Sequence, residues 1–305
     1  MRELCNVDGR IVPQRQAVVS VMDRGFLFGD SIYEVMRTYG LVPFAWPEHL
    51  ARLRASAAGL LLPMNLTDRQ LLQRMRATLD AAREPSDTGT AYVRVIVTRG
   101  VGSAPNIDMA YAPGPCTYVI LVRPTPPQPT ASVRLAIVER LRVDRRALDP
   151  ALKSGNYLNN VLGLGEAKAR GADDCLMVNS AGFVTEASTS NVFAVFGDTV
   201  RTPPLTAGIL AGVTRSLLVE LCRREGIALE EVDITSDALR QADEVFLSST
   251  LRDVLPVSEV DGRRFGNHAG PLTARLQAAY ASLATELVQR RYGPGWREAT
   301  DNSGP

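Results

Sequence analysis

A chain of 305 residues is about twice the usual domain of roughly 150, so two packed domains or one large α/β domain with a sizeable core is expected. Hydrophobic residues at 45% and charged residues at 22% exclude collagen-like, disordered and disulfide-scaffold classes. Basic and acidic residues nearly cancel, 34 against 33, so no net field favours a nucleic acid or an anionic membrane, and the expected partner is a small molecule.

The makeup of the charged set says more than its balance. Of the 34 basic residues only Lys153 and Lys168 are lysines, so chemistry that needs an amine has two candidates. His49 and His268, far apart in the chain, are too few for a His-rich zinc site and disfavour Ser/His/Asp hydrolysis; no metal is expected. Cys5, Cys116, Cys175 and Cys222 show no CxxC spacing, lie in or beside apolar stretches, and read as buried reduced thiols. No run approaches the roughly 18 apolar residues that span a bilayer, and Met1-Arg2-Glu3 opens no signal-peptide core, so a cytoplasmic protein is expected.

In chain order, alternation around Asp8-Gly9 predicts a hairpin, and Ala17–Met22 reads as a further strand. Leu50, Leu53, Ala57 and Leu60 recur at helical spacing behind Pro47, and Thr67 with Gln70 makes a capping box ahead of Leu71, Leu72, Met75 and Leu79. Tyr92–Thr98 and Thr117–Val122 read as strands. Four prolines in 124–129 mark a semi-rigid connector over 124–130, dividing an N-terminal domain, 1–123, from a C-terminal one, 131–290. A strand at Leu135–Val138, a helix at Tyr157–Arg170 closed by Gly171, and short strands at Cys175–Asn179, Phe183–Glu186 and Asn191–Phe196 follow. An amphipathic helix, Val213–Arg224, precedes strands at Leu229–Ile234 and Glu244–Ser248 and a last helix at Pro271–Arg290. Residues 291–305 lack an apolar period and read as a disordered tail. The sequence of elements is of the α+β type.

Nucleotide-binding motifs fail: Gly163-Leu164-Gly165-Glu166-Ala167-Lys168 lacks the third glycine of a dinucleotide fingerprint and lies within a helix, and no phosphate-binding GxxxxGK loop exists. Lys153, flanked by apolar residues just ahead of a helix, is a candidate nucleophile, with a solvated surface lysine as the alternative. Lys168 reads as a helix-surface charge. Glu186 ends a strand among small hydroxyl residues. Gly208 to Thr214 places backbone N–H groups at a helix start, which suits an anion as well as ordinary capping.

Taken in order, six blocks acquire a meaning that none has alone. Asp23-Arg24-Gly25-Phe26-Leu27-Phe28-Gly29-Asp30, Tyr33-Glu34-Val35, Glu48-His49-Leu50-Ala51-Arg52-Leu53, Lys153-Ser154-Gly155-Asn156-Tyr157-Leu158, Glu186 through Asn191, and Gly212-Val213-Thr214-Arg215 together resemble the class IV aminotransferases, the fold type IV pyridoxal phosphate enzymes. The resemblance spans residues 5 to 290. It implies an N-terminal α/β sandwich, a C-terminal pseudo-barrel and a homodimer acting on amino acids and 2-oxo acids. Lys153 matches the family lysine that carries pyridoxal 5'-phosphate, Glu186 the partner of the pyridine nitrogen, and Tyr157 a tyrosine beside the ring phenolate. Arg52, the N–H groups of Val213 and Thr214, and Thr250 match the phosphate cup.

Tyr33 matches a tyrosine of the substrate pocket, and Tyr92 and Arg94 match a strand pair that holds the α-carboxylate in branched-chain members. D-amino acid members use an Arg-x-His trap after a Thr-Arg-Gly turn; here Ala104 and Asn106 stand at those places, and Arg99 is a further candidate for the carboxylate. The resemblance therefore implies a branched-chain aminotransferase that passes the amino group to 2-oxoglutarate by a ping-pong route. A D-amino acid or (R)-amine transaminase, an aminodeoxychorismate lyase and a non-enzymatic pyridoxal phosphate protein are the alternatives.

Overall fold

The computed structural model describes residues 1–87, 89–127 and 132–301. The chain forms two compact units: Met1–Pro127, Leu152–Asn156 and Ala284–Pro305 in the first, Gln128–Ala151 and Tyr157–Leu283 in the second. The expected division at 124–130 is a single cut, whereas the chain returns twice to the first unit; of that connector, 128–130 lie outside the described residues.

In the first unit a hairpin, β1 (Leu4–Val7) and β2 (Arg10–Pro13), turns at Asp8 and Gly9, whose φ of 51° and 98° suit the tight turn. Next come a short helix α1 (Arg24–Phe28), β3 (Ser31–Tyr39), β4 (Val42–Pro43), α2 (Trp46–Gly59), α3 (Asp68–Ala82), β5 (Ala91–Thr98) and β6 (Thr117–Pro124). The predicted capping box holds: Thr67 Oγ1 accepts from Gln70 N–H while the Gln70 side chain accepts from Thr67 N–H. The strands form a six-stranded antiparallel sheet in the order β2-β1-β6-β5-β3-β4. Its inner face, Ile32, Met36, Val93, Val95, Val97, Ile120 and Val122, packs on Leu50 and Leu53 of α2 and Leu71 and Leu79 of α3. The opposite face carries Tyr33, Val35 and Arg37 across from Ile96, Arg94 and Tyr92, register pairs that share one side of the sheet.

Two expectations change here. Ala17–Met22 is not a strand: Val18 and Val21 are both 70% exposed, and β-branched residues without a partner strand make no ladder. β3, the longest strand of this sheet, had no local signature.

The second unit opens with β7 (Val133–Leu141), followed by α4 (Leu158–Ala169), β8 (Asp174–Val178), β9 (Val184–Ala187), β10 (Asn191–Phe196), β11 (Thr199–Thr202), α5 (Val213–Arg224), β12 (Ala228–Glu231), α6 (Ser236–Arg240), β13 (Glu244–Ser249), β14 (Asp253–Val260), β15 (Arg263–Arg264) and α7 (Pro271–Leu287). Pairing runs β10-β13-β14-β7-β8-β9 and back to β10, which closes six strands into a barrel; β11 and β12 extend it from β10. Closure leaves no free edge on the ring among the described residues, and Leu135, Leu176, Val192, Val245, Leu247 and Leu255 form its core. The stretch expected to be a disordered tail is helical as far as Thr300: a π-helical turn (Val288–Tyr292) leads into α8 (Gly293–Thr300). Trp296 lies 6.2 Å from Trp46, centroid to centroid, and Arg76 pairs with Asp301, so tertiary contacts hold a segment that has no apolar period. Residues 302–305 lie outside the described residues.

Candidate active site

Lys153 is brought to Tyr33, 120 positions earlier in the chain, because Leu152–Asn156 runs beside the start of β3. Tyr33 N–H donates to the Lys153 carbonyl at 2.9 Å, Gly155 N–H to the Ser31 carbonyl at 2.7 Å, and Lys153 N–H to Ser56 Oγ at 3.0 Å. A Cβ at Gly155 would stand 2.2 Å from Ser31 Oγ and 3.2 Å from the Gly29 carbonyl, so a side chain there would have to displace Ser31. Lys153 Nζ then sits 3.5 Å from the Tyr33 hydroxyl and 4.5 Å from its ring centroid, and the Arg94 guanidinium lies 4.0 Å from the same centroid. Tyr92 lies two positions along β5 from Arg94 and opposite Arg37, so a second arginine, passed over in the sequence, shares this face.

Beneath the sheet, Arg52 forks onto Glu34 with Nε–Oε1 2.7 Å and Nη2–Oε2 2.8 Å, and His49 Nδ1 reaches Glu34 Oε2 at 2.7 Å. Burial alone would raise the Glu34 carboxyl, but the Arg52 charge overcomes it and holds the group down at about 2. Burial pushes His49 below its usual range. A carboxylate only accepts, so the His49 proton is on Nδ1 and Nε2 is bare; that nitrogen is buried with no partner among the described residues.

Arg99 does not fill its expected role as a carboxylate ligand. Only 6% exposed, it directs Nε and Nη2 at Asp30 (2.7 and 3.1 Å) and Nη1 and Nη2 at the carbonyls of Leu61 and Leu60 (2.7 and 2.8 Å), which makes it a structural clamp. Asn106 is likewise occupied, its Oδ1 accepting from Asp108 N–H at 2.9 Å.

Glu186 of the second unit is the third residue of β9 and lies opposite Asn191 of β10. Its Oε1 pairs with Arg142 at 2.7 Å, and Oε2 accepts from Asn191 Nδ2 at 3.2 Å and from Leu210 N–H at 3.0 Å. Arg142 also donates to Asn160 Oδ1 at 3.0 Å, while its buried Nε has no partner among the described residues. Ser248, opposite Asn191 on β13, has a buried Oγ in the same condition. Asn191 is fixed in turn by donating to the Leu210 carbonyl at 3.0 Å.

The start of α5 is open. Its first helical bond runs from Ser216 N–H to the Gly212 carbonyl, so the amides of Val213 and Thr214 precede the ladder, and no side chain caps them. Thr250 stands in the turn between β13 and β14, and α5 packs on β13. Tyr157 is the residue before α4. The expected phosphate residues thus fall in both units: Arg52 in the first, Val213, Thr214 and Thr250 in the second.

The sequence model of the family described as amino-transferase class IV matches residues 31–260. The chain belongs to the class IV aminotransferases. A Methanocaldococcus jannaschii protein with a provisional branched-chain-amino-acid aminotransferase name is 36% identical over 287 residues, 92% of this chain and 96% of that one. The D-alanine aminotransferase of Bacillus licheniformis is 33% identical over 273 residues, 89% and 94% of the two chains. Among solved structures, the branched-chain aminotransferase of Thermoproteus uzoniensis with norvaline superposes with a TM-score of 0.84 at 29% identity, covering 95% of this aminotransferase and 97% of that chain. The T.th. branched-chain aminotransferase, solved with pyridoxamine 5'-phosphate, gives a TM-score of 0.83 at 27% identity over 97% and 98%. The fold is therefore that of fold type IV branched-chain aminotransferases.

Proposed function

We propose that this class IV aminotransferase moves the amino group of an aliphatic, branched-chain L-amino acid to 2-oxoglutarate in two successive half-reactions, with pyridoxal 5'-phosphate as cofactor. The observation that carries the reading is Lys153 Nζ set 4.5 Å from the Tyr33 ring, beside Arg94 on the same ring: an amine, an aromatic wall and a fixed cation in one place. The unpartnered donors at Arg142 Nε and Ser248 Oγ and the uncapped amides of α5 fit a polar, anionic cofactor.

When bound, the cofactor supplies an electron-withdrawing ring that accepts the electron pair left as the substrate Cα–H bond breaks. Lys153 would hold it through Nζ, and the same amine would serve as general base toward the substrate Cα proton and as general acid where that proton is delivered on the cofactor side. The Glu186 carboxylate would favour a protonated pyridine nitrogen; Arg142, Asn191 and the Leu210 amide fix that carboxylate in place. Tyr157 would serve the ring phenolate. Arg52, whose guanidinium Glu34 holds in place, the amides of Val213 and Thr214, and Thr250 would take the phosphate, a cation with a helix start as a dianion requires. Arg94 with Tyr92 holds the α-carboxylate, and Tyr33 walls the pocket. The own-loop bond of Asn106, with alanine at 104, favours the branched-chain over the D-amino acid reading.

Exposed apolar side chains at Val18, Val21, Phe26 and Ile107 support a homodimer, and four free, buried cysteines suit the reducing cytoplasm. Borohydride reduction of the purified protein followed by peptide mapping tests the assignment, with label expected on Lys153; label on Lys168 would overturn it. Half-reaction spectra should show L-leucine faster than D-alanine or an (R)-arylamine. A faster D-alanine reaction reverses the stereochemical reading.

A further inference from the structure

Asp174, at the start of β8, is a carboxylate only 1% exposed. Its Oδ1 accepts from the amides of Cys175 (2.8 Å) and Ser188 (3.2 Å), and its Oδ2 receives Arg252 Nη1 at 2.7 Å, 78 positions later in the chain. The same Nη1 is 3.4 Å from Ser190 Oγ. Arg252 therefore ties two turns at one end of the barrel: the β9–β10 turn, closed by Ala187 N–H to the Ser190 carbonyl at 2.8 Å, and the β13–β14 turn that bears Thr250.

The second turn joins β13 to β14 through Thr250, Leu251 and Arg252. Ser249 and Asp253 face each other across it, Arg252 N–H donates to the Ser249 carbonyl at 3.2 Å, and Asp253 takes a φ of 51°, a conformation that favours glycine. A three-residue turn followed by a non-glycine residue in that region gains definition from an external tether. From Asp174 the polar contacts continue through the Ser188 carbonyl to Asn160 Nδ2 (2.8 Å), from Asn160 Oδ1 to Arg142 (3.0 Å) and on to Glu186 (2.7 Å). One network holds both the Thr250 turn and the Glu186 carboxylate.

We propose that Arg252 is a positioning residue for a phosphate monoester: through the buried Asp174 carboxylate it fixes the turn on which Thr250 meets the cofactor phosphate. The proposal rests on the cofactor reading given above. A charge-assisted bond of this length to a buried carboxylate is among the stronger single tethers available to a turn; removing it frees the turn and leaves Asp174 with the Cys175 and Ser188 amides as donors.

The test separates phosphate from ring. Full-length protein stripped of cofactor is titrated with pyridoxal 5'-phosphate and with pyridoxal, which lacks the phosphate, for wild type, Arg252→Ala and Arg252→Lys. Absorbance and tryptophan fluorescence follow binding, and circular dichroism checks that each variant is folded. Arg252→Ala is expected to weaken pyridoxal 5'-phosphate ten-fold or more and pyridoxal less than two-fold, with Arg252→Lys recovering part of the loss. Equal losses for both compounds, or no loss for either, would overturn the positioning role. A wild-type protein that does not favour the phosphorylated compound would instead overturn the phosphate-cup reading, and the proposal with it.

Discussion

At the scale of single residues, the Glu34–His49–Arg52 cluster makes a directional statement about pH. The unfolded chain binds a proton at His49 from about its ordinary 6.5 downward, while the folded chain resists, since burial pushes the ring below that value. The contribution of His49 to folded stability is therefore fully present above 6.5 and is lost as pH drops below it. Glu34 works in the same direction at lower pH: its stabilising contribution is present above the ordinary 4.5 and is lost as pH falls toward about 2, because the unfolded state takes up the proton first. Replacing His49 with Gln keeps a donor for Glu34 and removes the first of these titrations. The expected outcome is a shallower dependence of Tm on pH between 6.5 and 5; one proton accounts for about 1.4 kcal/mol per pH unit at most. Thermal melts of both proteins across that range check it, and equal slopes would remove His49 from the acid response.

At the scale of elements, the junction between α5 and the barrel is steric. Gly212 precedes α5 with φ of −65°, open to any residue, yet a Cβ there would stand 2.0 Å from Asn191 Oδ1. Asn191 cannot yield freely, because its Nδ2 is committed to Glu186 and to the Leu210 carbonyl. Gly212→Ala should lower stability by about 1–3 kcal/mol, the usual scale of overpacking. Adding Asn191→Ala should remove the extra loss, so that the double variant melts no lower than Asn191→Ala alone; additive losses in Tm would show that the clash is relieved elsewhere. Elements whose signal is complete within a few residues were legible in the sequence: α5 in its period and its flanking glycines, β5 in its alternation, the Asp8-Gly9 hairpin in its turn. β3 was not, because Glu34 on its inner face is buried only through Arg52 and His49, partners supplied by another element. α8 was hidden for the same reason, since Trp46 and Arg76 lie far from it in sequence. The site divides likewise. Lys153 and Glu186 were bland in their local context and were singled out only by the ordered blocks of the family resemblance, whereas Arg142, Asn160 and Arg252 carry no such signal and matter only once β-register and turns bring them into the polar network around Glu186 and Asp174.

At the scale of the whole molecule, the question is what covers the apolar surface of the first unit. The stretch around α1 and the loop after β5 are held side by side: Arg24 N–H donates to the Gly100 carbonyl and Gly102 N–H to the Met22 carbonyl, each at 3.0 Å. The Arg24 guanidinium pins the loop tip through the carbonyls of Asn106 and Ile107, at 2.5 and 2.9 Å, so these segments are fixed surfaces. On them Val18, Val21 and Phe26 are about 70% exposed and Ile107 is 81% exposed. Isolated exposed apolar residues need no explanation, but several large ones on two tethered segments mark an interaction surface, and a second copy of the chain is the partner that the homodimer reading requires. Light scattering on the purified protein is expected to give twice the 33.1 kDa of a single chain. Phe26→Glu combined with Ile107→Glu places two charges on a surface that must be desolvated, and should shift the mass to that of the monomer with the fold retained, as judged by circular dichroism. A wild-type monomer at micromolar concentration would refute the homodimer, and a dimer that persists in the double variant would place the interface on another face.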